Sequence, residues 1–212
     1  MKKIVSFLIV LIFFFSCAVL TKSADDASVK KNIDTVSGSK NNINNIVIDS
    51  NMVRKHLYTL AADDMEGRKS GTAGIEKAAV YIENEFKKIG LSTFSDLENY
   101  RQTFTFKNRR TNEDITSSNI IGVLEGSSKK DEYVIISAHY DHLGMKMSGD
   151  GDLIYNGAND DASGVTGVLA LAAYFKEVRH ERTLVFVAFT AEEMGLIGST
   201  HFGKGIDATK FV

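Results

Sequence analysis

The chain has one cysteine in 212 residues, Cys17, so no intrachain disulfide can form and packing alone must hold the fold. It has no cationic excess: 25 Lys and Arg face 27 Asp and Glu, a formal net charge of -2. That balance makes no overall basic field of the kind phosphate backbones attract, so nucleic-acid binding has no compositional support. It also has no apolar run of the ~20 residues that a membrane-spanning helix needs. Internal repeats and a glycine-rich phosphate loop are missing too. What remains is an ordinary globular balance, 43% hydrophobic and 25% charged, long enough for one domain with a sizeable core.

The first residues, Met1-Lys2-Lys3, are positive, and an almost unbroken apolar run from Ile4 to Phe15 follows. Too short to span comfortably, this pattern predicts an export signal over residues 1–16. Cys17 comes directly after, with Ser16 and Ala18 on either side, and the segment resembles a relaxed lipobox of bacterial lipoproteins. That resemblance implies acylation of the cysteine after cleavage. From Thr21 to about Asp49 the chain is rich in Lys, Asn, Ser and Asp, with too few Ile and Val to bury a core. Residues 17–49 are therefore expected to be a lipid-anchored polar tether. The expected location is periplasmic or cell-surface, or else secreted, with membrane contact only through the signal or the lipid at Cys17.

The folded part, residues 50–212, opens with Ser50 ahead of Val53, Leu57 and Leu60, the pattern of a short capped helix. Ile75, Ala79, Ile82, Phe86 and Ile89 recur at helical spacing, and Gly90 follows as a stop signal. Strands are predicted over Arg101 to Lys107 and Asn119 to Glu125. Two continuously apolar runs, Tyr133 to Ala138 and Thr183 to Phe189, bracket a helix from about Ser163 to Val178. Buried central strands separated by a helix point to an α/β sheet covered on both faces.

In open α/β sheets ligands bind beyond the carboxyl ends of the strands. His139-Tyr140-Asp141-His142 follows the first apolar run, Gly157 to Gly164 precedes the buried helix, and Ala191-Glu192-Glu193-Met194-Gly195 follows the second run. Taken singly, Asp160-Asp161 could cap a helix, Glu192-Glu193 could be a solvated loop, and His139 and Asp141 could be a structural pair. Together they would put acids and imidazole on one sheet edge three times over by accident. Imidazole and carboxylates without thiolates suit a catalytic zinc site with open positions and exclude a zinc finger.

With these residues the chain resembles the cocatalytic two-zinc aminopeptidases, metallopeptidase family twenty-eight, over Ser50 to Val212. His139 to Gly144, Gly157 to Gly164 and Ala191 to Ser199 carry the resemblance. Met65-Glu66-Gly67-Arg68, Gly71 to Gly74 and Ser118 to Val123 support it. It implies a three-layer αβα sandwich with a mixed, mainly parallel sheet. It also implies two zinc ions: His139 ligates one, Glu193 the other, and Asp160 bridges them. Glu192 would be the general base, drawing a proton from water between the ions and passing it to the leaving amine. Asp141 fits a supporting role, accepting the other ring N–H of His139. Asp161 is expected to shape the turn or cap the helix, while His142 could be supporting or exposed; His56, His180 and His201 are expected at the surface. The substrate would be a peptide, cleaved near its N-terminus.

Family members complete the zinc pair with an aspartate on a later strand and a histidine much further on. Neither position occurs before Val212, and Asp207 and His201 follow Glu193 too closely, in a loop-like stretch, to replace them. The expectation is the N-terminal part of a catalytic domain with its C-terminal part missing, inactive and poorly stable alone. Two other functions fit the scaffold: a receptor-like binding module without catalysis, and a single-zinc glutaminyl cyclase relative.

Overall fold

The computed structural model describes residues 48–212. The expected signal segment, Cys17 and all but the last two residues of the expected tether lie outside them. Helix α1 (Ser50–Leu60) is capped by Asp49, whose carboxylate accepts the Asn51 N–H at 3.0 Å, so the cap precedes Ser50 by one residue. Helix α2 (Ala73–Ile89) buries Ile75, Ala79, Ile82 and Phe86, as their spacing predicts. Gly90 ends it at φ +79, a left-handed conformation that costs glycine little, and donates to the Phe86 carbonyl at 3.0 Å.

Strands β1 (Arg101–Lys107) and β2 (Asp114–Leu124) form an antiparallel hairpin. β2 begins at Asp114, ahead of the predicted Asn119, because its first half is held by hydroxyls and not by apolar alternation. Thr103 Oγ1 meets Ser118 Oγ at 2.8 Å, and Thr105 Oγ1 meets Thr116 Oγ1 at 2.9 Å across the pair. β3 (Lys129–His139), α3 (Ser163–Glu177) and β4 (Arg182–Phe189) follow, with β3 and β4 parallel.

The strand order is β1-β2-β4-β3. The mixed α/β sheet is as expected, but the mainly parallel character is not: among the described strands only β3–β4 is parallel, while β1–β2 and β2–β4 are antiparallel. A short turn can join only antiparallel strands, and of these strands β3 and β4 alone are joined through a helix. β4 is central, with Thr183 to Ala188 all buried. β3, expected to be a buried central strand, is only partly buried at the side of the sheet. Phe211 bridges to its outer edge at Tyr133 in parallel, and Val212 donates to the Tyr133 carbonyl at 3.1 Å.

Alternation along the strands sends side chains to two cores. On one face Ile120, Leu124, Leu184, Phe186 and Ala188 pack with α1, α2 and α3; on the other, Ile121, Val185 and Val187 pack against Phe202 and Phe189. Phe202 belongs to helix α4 (Ile197–Lys204), a segment expected to be loop because its glycines mask the periodicity. These layers are the expected αβα sandwich. Fully buried side chains such as Ile82 and Phe86 each contribute about 1.5–3 kcal/mol of burial. No helix of the described residues is long and apolar enough to cross a membrane.

Candidate metal centre

The parallel pair β3–β4 brings the ends of two strands side by side, His139 opposite Phe189, and the loops beyond them carry the ligand-type residues. α3 starts at the same edge, behind a turn over Ala158–Ala162 that contains a cis Asp160–Asp161 peptide. Three chain segments far apart in sequence thus meet. His139 Nε2 lies 3.0 Å from Asp160 Oδ1 and 4.0 Å from Glu192 Oε2. His142 Nδ1 lies 2.9 Å from Glu193 Oε1. Ligand atoms of His142, Asp160 and Glu193 all fall within 4.8 Å of one another.

That spread tests the fit of a metal. Nitrogen and oxygen donors about 2.0–2.2 Å from a zinc ion stand roughly 3.4 Å apart in a tetrahedron, a gap that small side-chain rotations close. The donor set is imidazole and carboxylate, matching zinc with open positions. Electrostatics agree. Burial depresses the His139 pKa, but the nearby Asp141 carboxylate, with Asp161 and Glu192, outweighs it and pushes the value up to about 9. A place that holds a proton so firmly is one that favours positive charge.

Asp160 is common to both groupings, touching His139 on one side and clustering with His142 and Glu193 on the other. Its side chain is 61% exposed, whereas that of His139 is 15% and that of Glu193 22%, so the site opens to solvent on the Asp160 side.

Asp141 corrects an expectation. His139 Nδ1 meets the backbone carbonyl of Asp141 at 3.1 Å, while the carboxylate stands 3.7 Å away. That carboxylate, fully buried, accepts instead from the backbone N–H groups of Glu192 at 3.0 Å and Glu193 at 3.2 Å. It therefore aims the double-glutamate loop as well as biasing His139. Asp161 does what was expected of it, accepting the Gly164 N–H at 2.9 Å at the start of α3, and it also accepts the His139 N–H at 3.3 Å.

Other histidines depart from the surface reading. His56 is buried, its Nδ1 2.7 Å from the Tyr81 hydroxyl, because α1 packs on the neighbouring helices. His142, expected to be either supporting or exposed, is buried against the centre, as the first alternative has it. His201 lies in α4, not a loop, and stacks on Phe104 at 4.2 Å; Asp207 accepts the Thr209 N–H at 3.0 Å. Both are occupied elsewhere, as expected of residues that follow Glu193 too closely to replace the later ligands. His180 is half-buried, bonded to the Arg182 carbonyl at 2.7 Å.

Several residues that support the site carried no role in the sequence. Arg68, completely buried, donates to the carbonyls of Tyr140 at 2.8 Å, Asn156 at 2.7 Å and Gly157 at 3.0 Å, and to that of Leu60. It ties the loop after β3 to the turn before α3. Burial draws its pKa down, and Asp141, Asp160 and Asp161 oppose that pull. Asn119, buried in β2, accepts the Thr190 N–H at 3.2 Å and donates to the Gly198 carbonyl at 2.9 Å, fixing both ends of the double-glutamate loop. Tyr140 is buried and donates to the Ser118 carbonyl at 2.6 Å. Gly157 has φ +57, and a Cβ there would sit 2.5 Å from the His142 ring and from the Asp160 carbonyl oxygen. Arg68, Asn119, Tyr140 and Gly157 all fall in segments that carry or support the family resemblance, but the sequence names no partner for any of them.

Comparison with known proteins places this geometry. Residues 119–212 match the model of Peptidase family M28. The alkaline phosphatase isozyme conversion protein of Escherichia coli is 29% identical over 167 residues, covering 76% of this chain and 47% of that one. The chain thus spans about half the length of that relative. Among solved structures, Fimbriiglobus ruber glutaminyl cyclase superposes with a TM-score of 0.63 at 24% identity, covering 74% of this chain and 55% of that one. BSAP, a zinc aminopeptidase from Bacillus subtilis, gives 0.60 at 17% identity, covering 74% and 66%. These structures share the fold; the family match falls on the strands and loops that build the site, and it relates residues 119–212 to Peptidase family M28.

Proposed function

We propose that the protein is a zinc-dependent exopeptidase, an aminopeptidase that hydrolyses peptide bonds near the N-terminus of peptides. The observation that carries this reading is the meeting of His139, His142, Asp160 and Glu193 at one sheet edge, with Glu192 beside them. His139 with Asp160 would hold one zinc, and Glu193 with Asp160 and His142 the second. The sharing of Asp160 by both groupings supports two ions and a bridging carboxylate. Bound zinc supplies a Lewis acid that polarises the scissile carbonyl and lowers the pKa of water. Glu192, half-exposed beside the donors, takes one proton from the attacking water and gives it to the amine as the C–N bond breaks and the C–O bond forms. Asp141 keeps Glu192 and Glu193 aimed through their backbone N–H groups.

The test is hydrolysis of aminoacyl amides by the full-length gene product, with and without chelator. Activity should vanish on chelation and return with zinc. Chelator-insensitive cleavage, or none with two zinc ions bound, would refute the reading. A glutaminyl cyclase has the same fold in its favour, and release of ammonia from N-terminal glutamine peptides without hydrolysis would select it.

We further propose export and lipid anchoring at Cys17, supported by Lys2, Lys3 and the apolar run before the cysteine. Labelled palmitate should enter the native chain and not Cys17→Ser; equal labelling of both would exclude that site.

A further inference from the structure

Beside the ligand loops a cavity of about 470 Å³ opens between the 69–70 segment and the β1–β2 turn. His142 and Glu193 form its inner wall, and Lys69, Arg109 and Arg110 line it as well. The turn is braced from within: Asn108 Oδ1 accepts the Arg110 N–H at 2.9 Å, and the Asn112 N–H reaches the Asn108 carbonyl at 2.8 Å. Its own acids are engaged elsewhere, Asp114 with Lys107 at 3.0 Å and Glu113 with the Thr111 hydroxyl at 2.9 Å. Among the described residues Lys69, Arg109 and Arg110 form no ion pair. Two acids also face the cavity, but Asp141 is committed to the Glu192 and Glu193 N–H groups, and Glu193 pairs with His142 beside Asp160. Three cations without partners therefore stand over the cavity next to the proposed reacting centre.

We infer that this cavity is an anion-accepting subsite, selecting peptides that carry a carboxylate next to the bond to be cleaved. The inference rests on the exopeptidase reading for its substrate. Guanidinium groups suit the role, since their planar donor fork matches a carboxylate. The carboxylate can come from an acidic side chain or from the C-terminus of a very short peptide.

Binding to the zinc-loaded chain, followed by calorimetry at low salt, separates these sources. Ala-Glu-Ala amide against Ala-Gln-Ala amide reads the side chain, and Ala-Gln against Ala-Gln amide reads the terminus. At least one carboxylate peptide should bind roughly three- to tenfold more tightly than its neutral partner, the range for a few exposed charge pairs. The ratio should fall to within about twofold in the Arg109→Ala, Arg110→Ala double variant and persist when both become Lys. On the native chain, 0.5 M salt should shrink it as well, a check that needs no substitution. Equal binding of charged and neutral peptides, no binding of any, or a preference that survives the double alanine variant would overturn the subsite. Hydrolysis is followed in parallel with the full-length protein. Cleavage without carboxylate preference sinks the subsite and spares the exopeptidase reading; an Arg109- and Arg110-dependent preference without cleavage supports the subsite and sinks the hydrolase.

Discussion

Replacing Arg68 by Met keeps the aliphatic stem and removes the guanidinium that joins four backbone carbonyls. The bonds to Tyr140 and Leu60 are buried. A buried carbonyl deprived of its donor costs about 1–3 kcal/mol. The carbonyls of Asn156 and Gly157 lie nearer solvent, where water replaces part of the loss. The sum is about 3–5 kcal/mol, a large share of the ~5–15 kcal/mol that holds an ordinary domain together. With a urea slope of about 2 kcal/mol per molar, the unfolding midpoint should drop by roughly 2 M. Arg68→Lys, whose compact ammonium cannot span the same fork, should fall between. Zinc affinity should weaken by about 10–100-fold in the Met variant, because the residue holds the chain next to His139 and ahead of Asp160. A stability loss below about 1 kcal/mol with unchanged zinc affinity would show that these bonds neither support the fold nor place the ligands.

Glu192→Gln should lower peptide hydrolysis by about 10²–10⁴-fold while zinc content stays the same; loss of zinc instead would make Glu192 a ligand. Gly157→Ala should destabilise the chain by about 2 kcal/mol or more, from the left-handed backbone and the clash with the His142 ring, and calorimetric zinc titration should show weaker binding; unchanged melting would contradict the close approach. Burial holds the His56 pKa below its ordinary value despite the nearby Glu85. The unfolded chain therefore takes up a proton below about pH 6.5 that the folded chain refuses, and stability, fully present above that pH, should decline as pH falls through it. In urea titrations from pH 7.5 to 5.5, His56→Gln should flatten that slope; an unaltered slope would assign it to other groups. Glu85 belongs to a lower window: burial raises its pKa, Lys88 and Lys55 outweigh that, and its contribution is lost only on further acidification.

Periodicity and local chemistry placed most elements, because a buried stripe must repeat with the geometry of its own helix or strand. The spacing of Ile75, Ala79, Ile82 and Phe86 with Gly90 marked α2 almost to its ends, and the apolar run from Thr183 marked β4. The ligand-type residues were legible as well, since His139, Asp160, Glu192 and Glu193 follow strand ends or precede a helix. Where a segment is held by cross-strand hydroxyls, as in early β2, or by a few apolar residues among glycines, as in α4, the pattern fails to announce it. Strand order was equally hidden, because direction depends on which strands meet and not on their composition. Partnership was decided only in three dimensions. Asp141 bonds the N–H groups of Glu192 and Glu193, Arg68 reaches residues 72 and 89 positions away, and a turn at Arg109 and Arg110 comes to line one cavity with His142 and Glu193. Sequence determines which groups are available and which faces they occupy. Only the packing of distant segments decides which lone pair each proton meets, and the candidate centre is made of such meetings.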